Sequence, residues 1–215
     1  METFVIGDIH GCFFTLVKLL ENWRSEEESL VFCGDLIDRG PHSAAVVEHI
    51  RGLQAQFPHV HVLMGNHEQM AAEYLEKGNA SIWVYSGGRE SLASYSSRNE
   101  ALNDDLIWMK NLPGYVETDH FLISHAGICD HPDAFDPFSY DGYIWNKRQL
   151  AHLGKVQFHG HKPHKNQGPL YTDISNSWNL DAACFSGNGL CGVHIDEKGV
   201  VLEASFIHTL DSDKA

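Results

Sequence analysis

Three times before residue 78 the chain repeats one arrangement: a short apolar run rich in β-branched residues, a Gly-Asp or Gly-Asn step close behind it, and a stretch with helical periodicity. The runs are Thr3 to Ile6, Leu30 to Cys33 and Val60 to Met64. Their continuous apolarity suits strands buried on both faces rather than strands with one wet face. Phe13, Leu16, Val17, Leu20 and Trp23 recur at helical intervals, as do Val46, Val47, Ile50 and Leu53, and more weakly Met70, Tyr74 and Leu75. The order β-α-β-α-β-α predicts a partly parallel sheet with right-handed crossovers.

Residues 101–110 read as a further helix, closed by Leu112-Pro113-Gly114. From Tyr115 the pattern changes to short strands separated by turns: Phe121 to Ser124, Val156 to Phe158, Leu170 to Ile174, Leu190 to Ile195 and Val200 to Phe206. The expected class is therefore α/β with an α+β-like second half: two packed mixed sheets flanked by helices. The 215 residues suffice for one domain, expected over 1–210, with residues 211–215 fraying.

Charge narrows the function. Lys plus Arg number 15 against 29 Asp plus Glu, a net −14, so the surface repels nucleic acid and anionic membranes. Any phosphate handled here must be drawn in by a local positive centre. No apolar run reaches about 18 residues, which argues against a membrane span. Asp8 stands where a secretory signal would continue its apolar stretch, and a cytoplasmic location is expected. Cys12, Cys33, Cys129, Cys184 and Cys191 are odd in number and lack a CxxC pair, so buried free thiols are expected. Glu26-Glu27-Glu28 reads as a solvated loop, Trp83 as core or pocket wall, and His194 as an ordinary surface or packing histidine.

In doubly wound sheets, ligands collect where loops leave the carboxyl ends of strands. Those positions carry Gly7-Asp8-Ile9-His10-Gly11, Gly34-Asp35-Leu36-Ile37-Asp38-Arg39-Gly40, Gly65-Asn66-His67-Glu68, Ser124-His125-Ala126-Gly127 and Phe158-His159-Gly160-His161. Asp, His and Asn from separate loops offer the mixed oxygen and nitrogen donors that divalent transition metals accept. Asp8 and His10, two residues apart on an extended segment, are expected to point the same way. A carboxylate such as Asp35 can bridge two ions. Two ions roughly 3.5–4 Å apart would clamp a phosphoryl group and supply the positive centre that the composition lacks.

The blocks GDIHG, GDLIDRG, GNHE, HAG and HGH, in order across residues 7 to 161, resemble the five signature blocks of the phosphoprotein phosphatase family of calcineurin-like metallophosphoesterases. Gly87-Gly88 before Glu90-Ser91-Leu92, then Ser94-Tyr95, LPGYVETD at 112–119 and Asn179-Leu180-Asp181 resemble its bacterial branch. That branch includes phage-type protein phosphatases and symmetrical diadenosine tetraphosphate hydrolases. The resemblance implies a four-layer αββα sandwich with a binuclear metal centre. Asp8 and His10 would hold one ion, Asp35 would bridge, and Asn66, His125 and His161 would hold the other. His161 is preferred over His159 because it follows Gly160 as in the family block.

By the same resemblance His67 is the general acid, Asp38 hydrogen-bonds its ring, and Arg39 grips phosphate oxygens. A second phosphate-binding residue is implied after the HAG block, where Trp145-Asn146-Lys147-Arg148 offers Lys147 or Arg148; Arg148 is the choice carried forward. The implied reaction is hydrolysis of phosphate monoesters, including phosphorylated Ser, Thr or Tyr of proteins, by direct attack of a hydroxide shared by two divalent ions. Manganese is the first expectation, with Fe, Zn, Co or Ni open. The alternative is hydrolysis of dinucleoside polyphosphates. A non-catalytic metal- or phosphate-binding module is disfavoured by the intact His67, Asp38 and Arg39. The expected partner is a phosphorylated protein or small phosphate ester, with no nucleic acid and no membrane, handled by a monomer or small homo-oligomer.

Overall fold

The computed structural model describes residues 1–78, 81–97 and 99–214, with the backbone alone for 99 and 100. The chain runs β1 (Glu2–Ile6), α1 (Phe13–Leu20), β2 (Glu28–Phe32), α2 (Ser43–Gln56), β3 (Val60–Val62) and α3 (Asn66–Lys77). A short α4 (Ser81–Trp83) leads through a wide turn at Val84–Gly88 into α5 (Arg89–Ser94), followed by α6 (Asn99–Lys110). The remaining strands are β4 (Tyr115–Glu117), β5 (Phe121–Ser124), β6 (Val156–His159), β7 (Leu170–Thr172), β8 (Ser177–Asn179), β9 (Gly189–Ile195) and β10 (Val201–His208).

Two mixed sheets form, ordered β10-β9-β1-β2-β3 and β4-β5-β6-β8-β7. In the first, β1, β2 and β3 are parallel and β9 and β10 antiparallel; in the second, β5, β6 and β8 are parallel. Side-chain alternation assigns the layers. Phe4, Ile6, Leu30 and Phe32 face the helices and pack with Leu16, Leu19, Val46, Val47 and Ile50. Val5 and Val31 face the other way and meet Phe121, Ile123, Phe158, Val193 and Ile195 between the sheets. Cutting Phe158, fully buried in that layer, to alanine would cost about 3–5 kcal/mol. The outer face of the second sheet, at Leu122, is covered by Ile128, Ala134, Tyr143 and Ile144 from the irregular segment after β5. Among the described residues no helix is long and apolar enough to cross a membrane.

Register places the site. Ile6 pairs with Phe32 and Phe32 with Val62, so β1, β2 and β3 end side by side and their loops leave together.

Three expectations fail here. The run Leu170 to Ile174 is two pieces: β7 stops at Thr172, and Asp173–Ser175 turns the chain into β8. Glu28 is no solvated loop residue; it opens β2, is fully buried, and meets the ring of His194 at 2.7 Å as well as the guanidinium of Arg24. The C-terminal tail does not fray over its described length. Asp211–Asp213 form a 3-10 turn, and Asp213 is buried because its carboxylate accepts backbone amides of α1. Ala215 lies outside the described residues. All five cysteines are free and buried.

Candidate metal centre

The loops after β1, β2, β3, β5 and β6 converge on Asp35, whose two oxygens face different partners. Oδ2 lies 3.5 Å from His10 Nε2 and 3.9 Å from His67 Nε2, while Oδ1 lies 3.4 Å from His125 Nε2. Asp35 thus belongs to two groups with metal-ligand spacing, one with His10 and His67, the other with His125 and His161. Asn66 closes the second group: its Oδ1 is 3.0 Å from His125 Nε2 and accepts from His161 Nδ1 at 2.8 Å. Asp8 stands alongside, receiving the amide of His161 at 3.0 Å. The structure therefore brings Asp8, His10, Asp35, Asn66, His125 and His161 into one place, from positions up to 153 residues apart.

Backbone strain concentrates at this place. Seven described non-glycine residues adopt left-handed φ, and His10, Asp35, Asp38, Arg39 and His161 are five of them. Each such residue costs on the order of 1–3 kcal/mol and persists only when its surroundings hold it. This changes the expected geometry of Asp8 and His10. β1 ends at Ile6 and His10 has φ 48°, so a turn, not strand alternation, aims its ring.

Tautomers follow from the hydrogen bonds. His10 Nδ1 donates to Ile37 O at 2.9 Å and His125 Nδ1 to Cys33 O at 3.0 Å, which directs each Nε2 into the centre. Arg39 Nη1 donates to His10 Nε2 at 2.8 Å. His161 Nε2 is buried without a hydrogen-bond partner.

The charges are costly without a counter-ion. Burial, then the negative charges of Asp181 and Asp35, hold the Asp8 carboxyl well above the usual range. Burial alone would raise Asp35 too, but His125, His67 and His10 hold it well below. Burial pushes His10 well down and His161 down to about 3. Clustered carboxylates and imidazole lone pairs, mostly buried and with one nitrogen unpartnered, fit divalent cations.

Beside the centre, His67 Nδ1 donates to Asp38 Oδ2 at 2.6 Å, with both residues buried. A cavity of about 480 Å³ opens over the site, lined by Asp35, Arg39, Asn66, Lys147, His161 and Phe185 among others. Arg148 is not part of it. Its guanidinium turns outward to Asp141, Nε to Oδ1 at 2.5 Å and Nη2 to Oδ2 at 3.1 Å, and its side chain is 59% exposed. The structure does not bring Arg148 to the site, because Asp141 holds it outside; Lys147 lines the cavity instead.

Several residues had no role assigned from sequence. Glu68 accepts the amides of Asp35 at 2.8 Å, Leu36 at 2.9 Å and Gly65 at 3.0 Å, tying two site loops together. Burial, aided by Asp35, pushes its carboxyl up to about 7. Trp83, read as core or wall, is buried and also donates its indole N–H to Asp38. Ser91 donates to Asp38 at 2.6 Å. Asp181 is buried near Asp8, and Phe185 lies under the Arg39 guanidinium at 4.6 Å. Glu68, Ser91 and Asp181 sat inside the recognised blocks, so a signal existed without a role; Phe185 had none.

The chain has relatives among known proteins, in sequence and in fold. Residues 1–195 match the family of calcineurin-like phosphoesterases. A Serine/threonine-protein phosphatase 1 from Salmonella typhimurium is 32% identical over 160 residues, 70% of this chain and 66% of that protein. A symmetrical bis(5'-nucleosyl)-tetraphosphatase from Marinomonas sp. is 32% identical over 139 residues, 60% of this chain and 45% of that protein. The chain thus spans about two thirds of the one and under half of the other. Among solved structures, a putative diadenosine tetraphosphatase superposes with TM-score 0.66 at 18% identity, covering 98% of this chain and 94% of that one. A protein serine/threonine phosphatase from Saccharomyces cerevisiae gives 0.69 at 17%, covering 98% and 81%. At these identities the superpositions establish the fold.

Proposed function

The chain belongs to the calcineurin-like phosphoesterase family, and on that footing we propose that it is a dimetal-dependent hydrolase of phosphate monoesters, of the Ser/Thr/Tyr phosphoprotein phosphatase kind. The observation that carries this reading is the sharing of Asp35 between two groups of metal-ligand spacing. Asp8, His10 and Asp35 would hold one cation, and Asp35, Asn66, His125 and His161 the other. When bound, two divalent cations supply the charge that draws the phosphate in and the acidity that makes water a nucleophile at neutral pH.

The chain's own groups do the rest. Arg39, backed by the Phe185 ring and with Nη1 turned to His10, offers the parallel N–H donors of Nε and Nη2 to non-bridging phosphate oxygens. Lys147 and Lys162, also on the cavity wall, add positive charge against the −14 background. His67, its Nδ1 committed to Asp38, gives a proton from Nε2 to the leaving oxygen. His67 also has ligand spacing with His10 and Asp35, and the acid role is preferred because Asp38 already fixes its ring.

The test is Mn²⁺-dependent turnover of an aryl phosphate, lost in His67→Asn with metal content unchanged. A metal-loaded wild type that leaves the monoester intact ends this reading. A His67→Asn protein that loses an ion reassigns His67 as a ligand. The second reading, hydrolysis of dinucleoside polyphosphates, is favoured by Trp145 and Phe185 on the cavity wall, which offer flat faces to a nucleobase. Turnover of diadenosine tetraphosphate against a phosphopeptide panel decides between the two.

A further inference from the structure

α1 begins without a cap of its own. Cys12, before its first residue, makes no capping side-chain hydrogen bond, and the first turn holds no acid. The missing acceptor comes from the far end of the chain. Asp213 takes the amide of Phe14 on Oδ1 at 3.1 Å and that of Thr15 on Oδ2 at 2.7 Å. The Thr15 hydroxyl donates to the same Oδ2 at 2.6 Å and accepts the amide of Leu210 at 3.0 Å. Asp213 and Thr15 are both buried. A buried carboxylate on the positive end of a helix is a strong fastening, and this helix end is the exit of the loop carrying Asp8 and His10.

The same tail reaches two more site segments. His42, where the Asp35–Gly40 loop enters α2, donates its Nε2 to Ser212 O at 2.9 Å, and its amide donates to Gly11 O at 3.0 Å. The Thr209 hydroxyl donates to Cys184 O at 2.8 Å, next to Phe185, whose ring supports Arg39 and meets the edge of His10. Residues 209–213 therefore touch the exits of both loops and the turn behind Arg39. The strained backbones of His10, Asp35 and Arg39 need such external support.

We propose that the C-terminal turn Asp211–Asp213 is a clasp that sets the His10 loop and Arg39 for metal and phosphate binding, with Asp213 as its positioning residue. The inference rests on the metal centre proposed above. Its test uses the full chain: Mn²⁺ titration of the metal-free protein by calorimetry, amide exchange across residues 9–16, and turnover of an aryl phosphate. Asp213→Ala removes the acceptors, Asp213→Asn keeps one, and Asp211→Asn, in the same turn but 97% exposed, is the control.

Asp213→Ala is expected to lose exchange protection at Phe14 and Thr15, spreading back to His10, and to bind Mn²⁺ about tenfold more weakly, with kcat reduced and KM raised even at saturating Mn²⁺. Asp213→Asn falls between, and Asp211→Asn behaves as wild type. An Asp213→Ala protein that loses protection at Thr15 yet binds Mn²⁺ as wild type overturns the clasp. Should Asp213→Ala fail to fold, Thr15→Val carries the same test: weaker Mn²⁺ binding supports the clasp and unaltered binding overturns it. A wild type that binds Mn²⁺ but leaves the monoester intact ends the proposed reaction while the clasp is still judged on affinity and exchange. A wild type that does not bind Mn²⁺ overturns both.

Discussion

His67 and Asp38 are joined side chain to side chain, Nδ1 donating to Oδ2 at 2.6 Å, and Asp38 is itself fixed by Trp83 Nε1 and Ser91 Oγ. These partners commit one face of the imidazole and leave Nε2 facing Asp35 at 3.9 Å. A general acid needs both its tautomer and its aim set in advance. Asp38→Asn should lower kcat on an aryl phosphate by about 10²–10³-fold with metal content unchanged. Trp83→Phe, which keeps the buried ring and removes one of the Asp38 donors, should lose about tenfold. Steady-state kinetics with metal analysis checks both, and an Asp38→Asn enzyme with wild-type kcat would remove Asp38 from the mechanism.

Lys147 lines the cavity, whereas Arg148, expected to bind phosphate, is paired with Asp141 outside it. With Arg148 held outward by Asp141, Arg148→Ala should change KM by less than about twofold. Lys147→Ala should raise KM about tenfold by removing a cation from the cavity wall. Arg39→Ala should cut kcat/KM about 10³-fold, because a bidentate grip on the transferring phosphate is lost. Equal effects at 147 and 148 would contradict this division.

Much of this centre was legible because metal binding demands particular donor atoms, and strand ends announce where donors collect. Asp8, His10, Asp35, Asn66, His125 and His161 each follow an apolar run, so composition and position agree. What sequence could not supply was direction. The left-handed turn at His10 and the outward rotation of Arg148 depend on Asp35 backbone contacts and on Asp141, partners set by tertiary structure. Short elements escaped for a related reason. β4 and β8 hold three residues each, too few for a period to register, and their pairing is decided by the sheet they join, while β7 was foreseen but ends two residues early. Glu28 was misread because its two glutamate neighbours mask the one whose partners lie at Arg24 and at the distant His194.

That buried pair has a stability consequence. Burial would raise the Glu28 carboxyl, yet Arg24 and His194 overcome it and hold the group below its usual 4.5. The folded form then binds fewer protons than the unfolded chain, so this stabilisation is present above about pH 4.5 and lost as pH falls below it. Glu28→Gln should lower unfolding free energy by about 1–3 kcal/mol at neutral pH by leaving His194 without its anionic partner. Phosphatase activity should be unaffected, since the pair sits at the start of β2, away from the loops. Urea denaturation with parallel assays checks this, and wild-type stability in the variant would contradict it.

His159 adds a second acid-side dependence, at higher pH than Glu28. It is buried at the end of β6, donates to Gly160 O at 2.9 Å, and burial pushes its pKa down to about 4 from 6.5. The unfolded chain takes up this proton first, so stability is full above about pH 6.5 and falls as pH drops toward 4. Metal-free protein should lose up to about 1.4 kcal/mol per pH unit from this group across that window. His159→Gln should flatten the slope, and equal slopes in the two proteins would assign the acid sensitivity elsewhere.

Gly160 offers the sharpest test of Asp8. A Cβ built there would lie 1.8 Å from Asp8 Oδ1, against the carboxylate rather than against a flexible chain end. Asp8 cannot easily yield, because the amide of His161 fixes it at 3.0 Å and Asp35 and Asp181 crowd it electrostatically. Gly160→Ala must therefore displace either Asp8 or the His161 strand end, and both carry proposed metal donors. Mn²⁺ affinity should fall about 10–100-fold, with circular dichroism and thermal unfolding of the metal-free form changed far less. Adding Mn²⁺ at high concentration should restore part of the turnover, because the donors are displaced and not deleted. Wild-type Mn²⁺ affinity in Gly160→Ala would mean that Asp8 does not hold an ion, since the three heavy atoms nearest that methyl all belong to the Asp8 carboxylate.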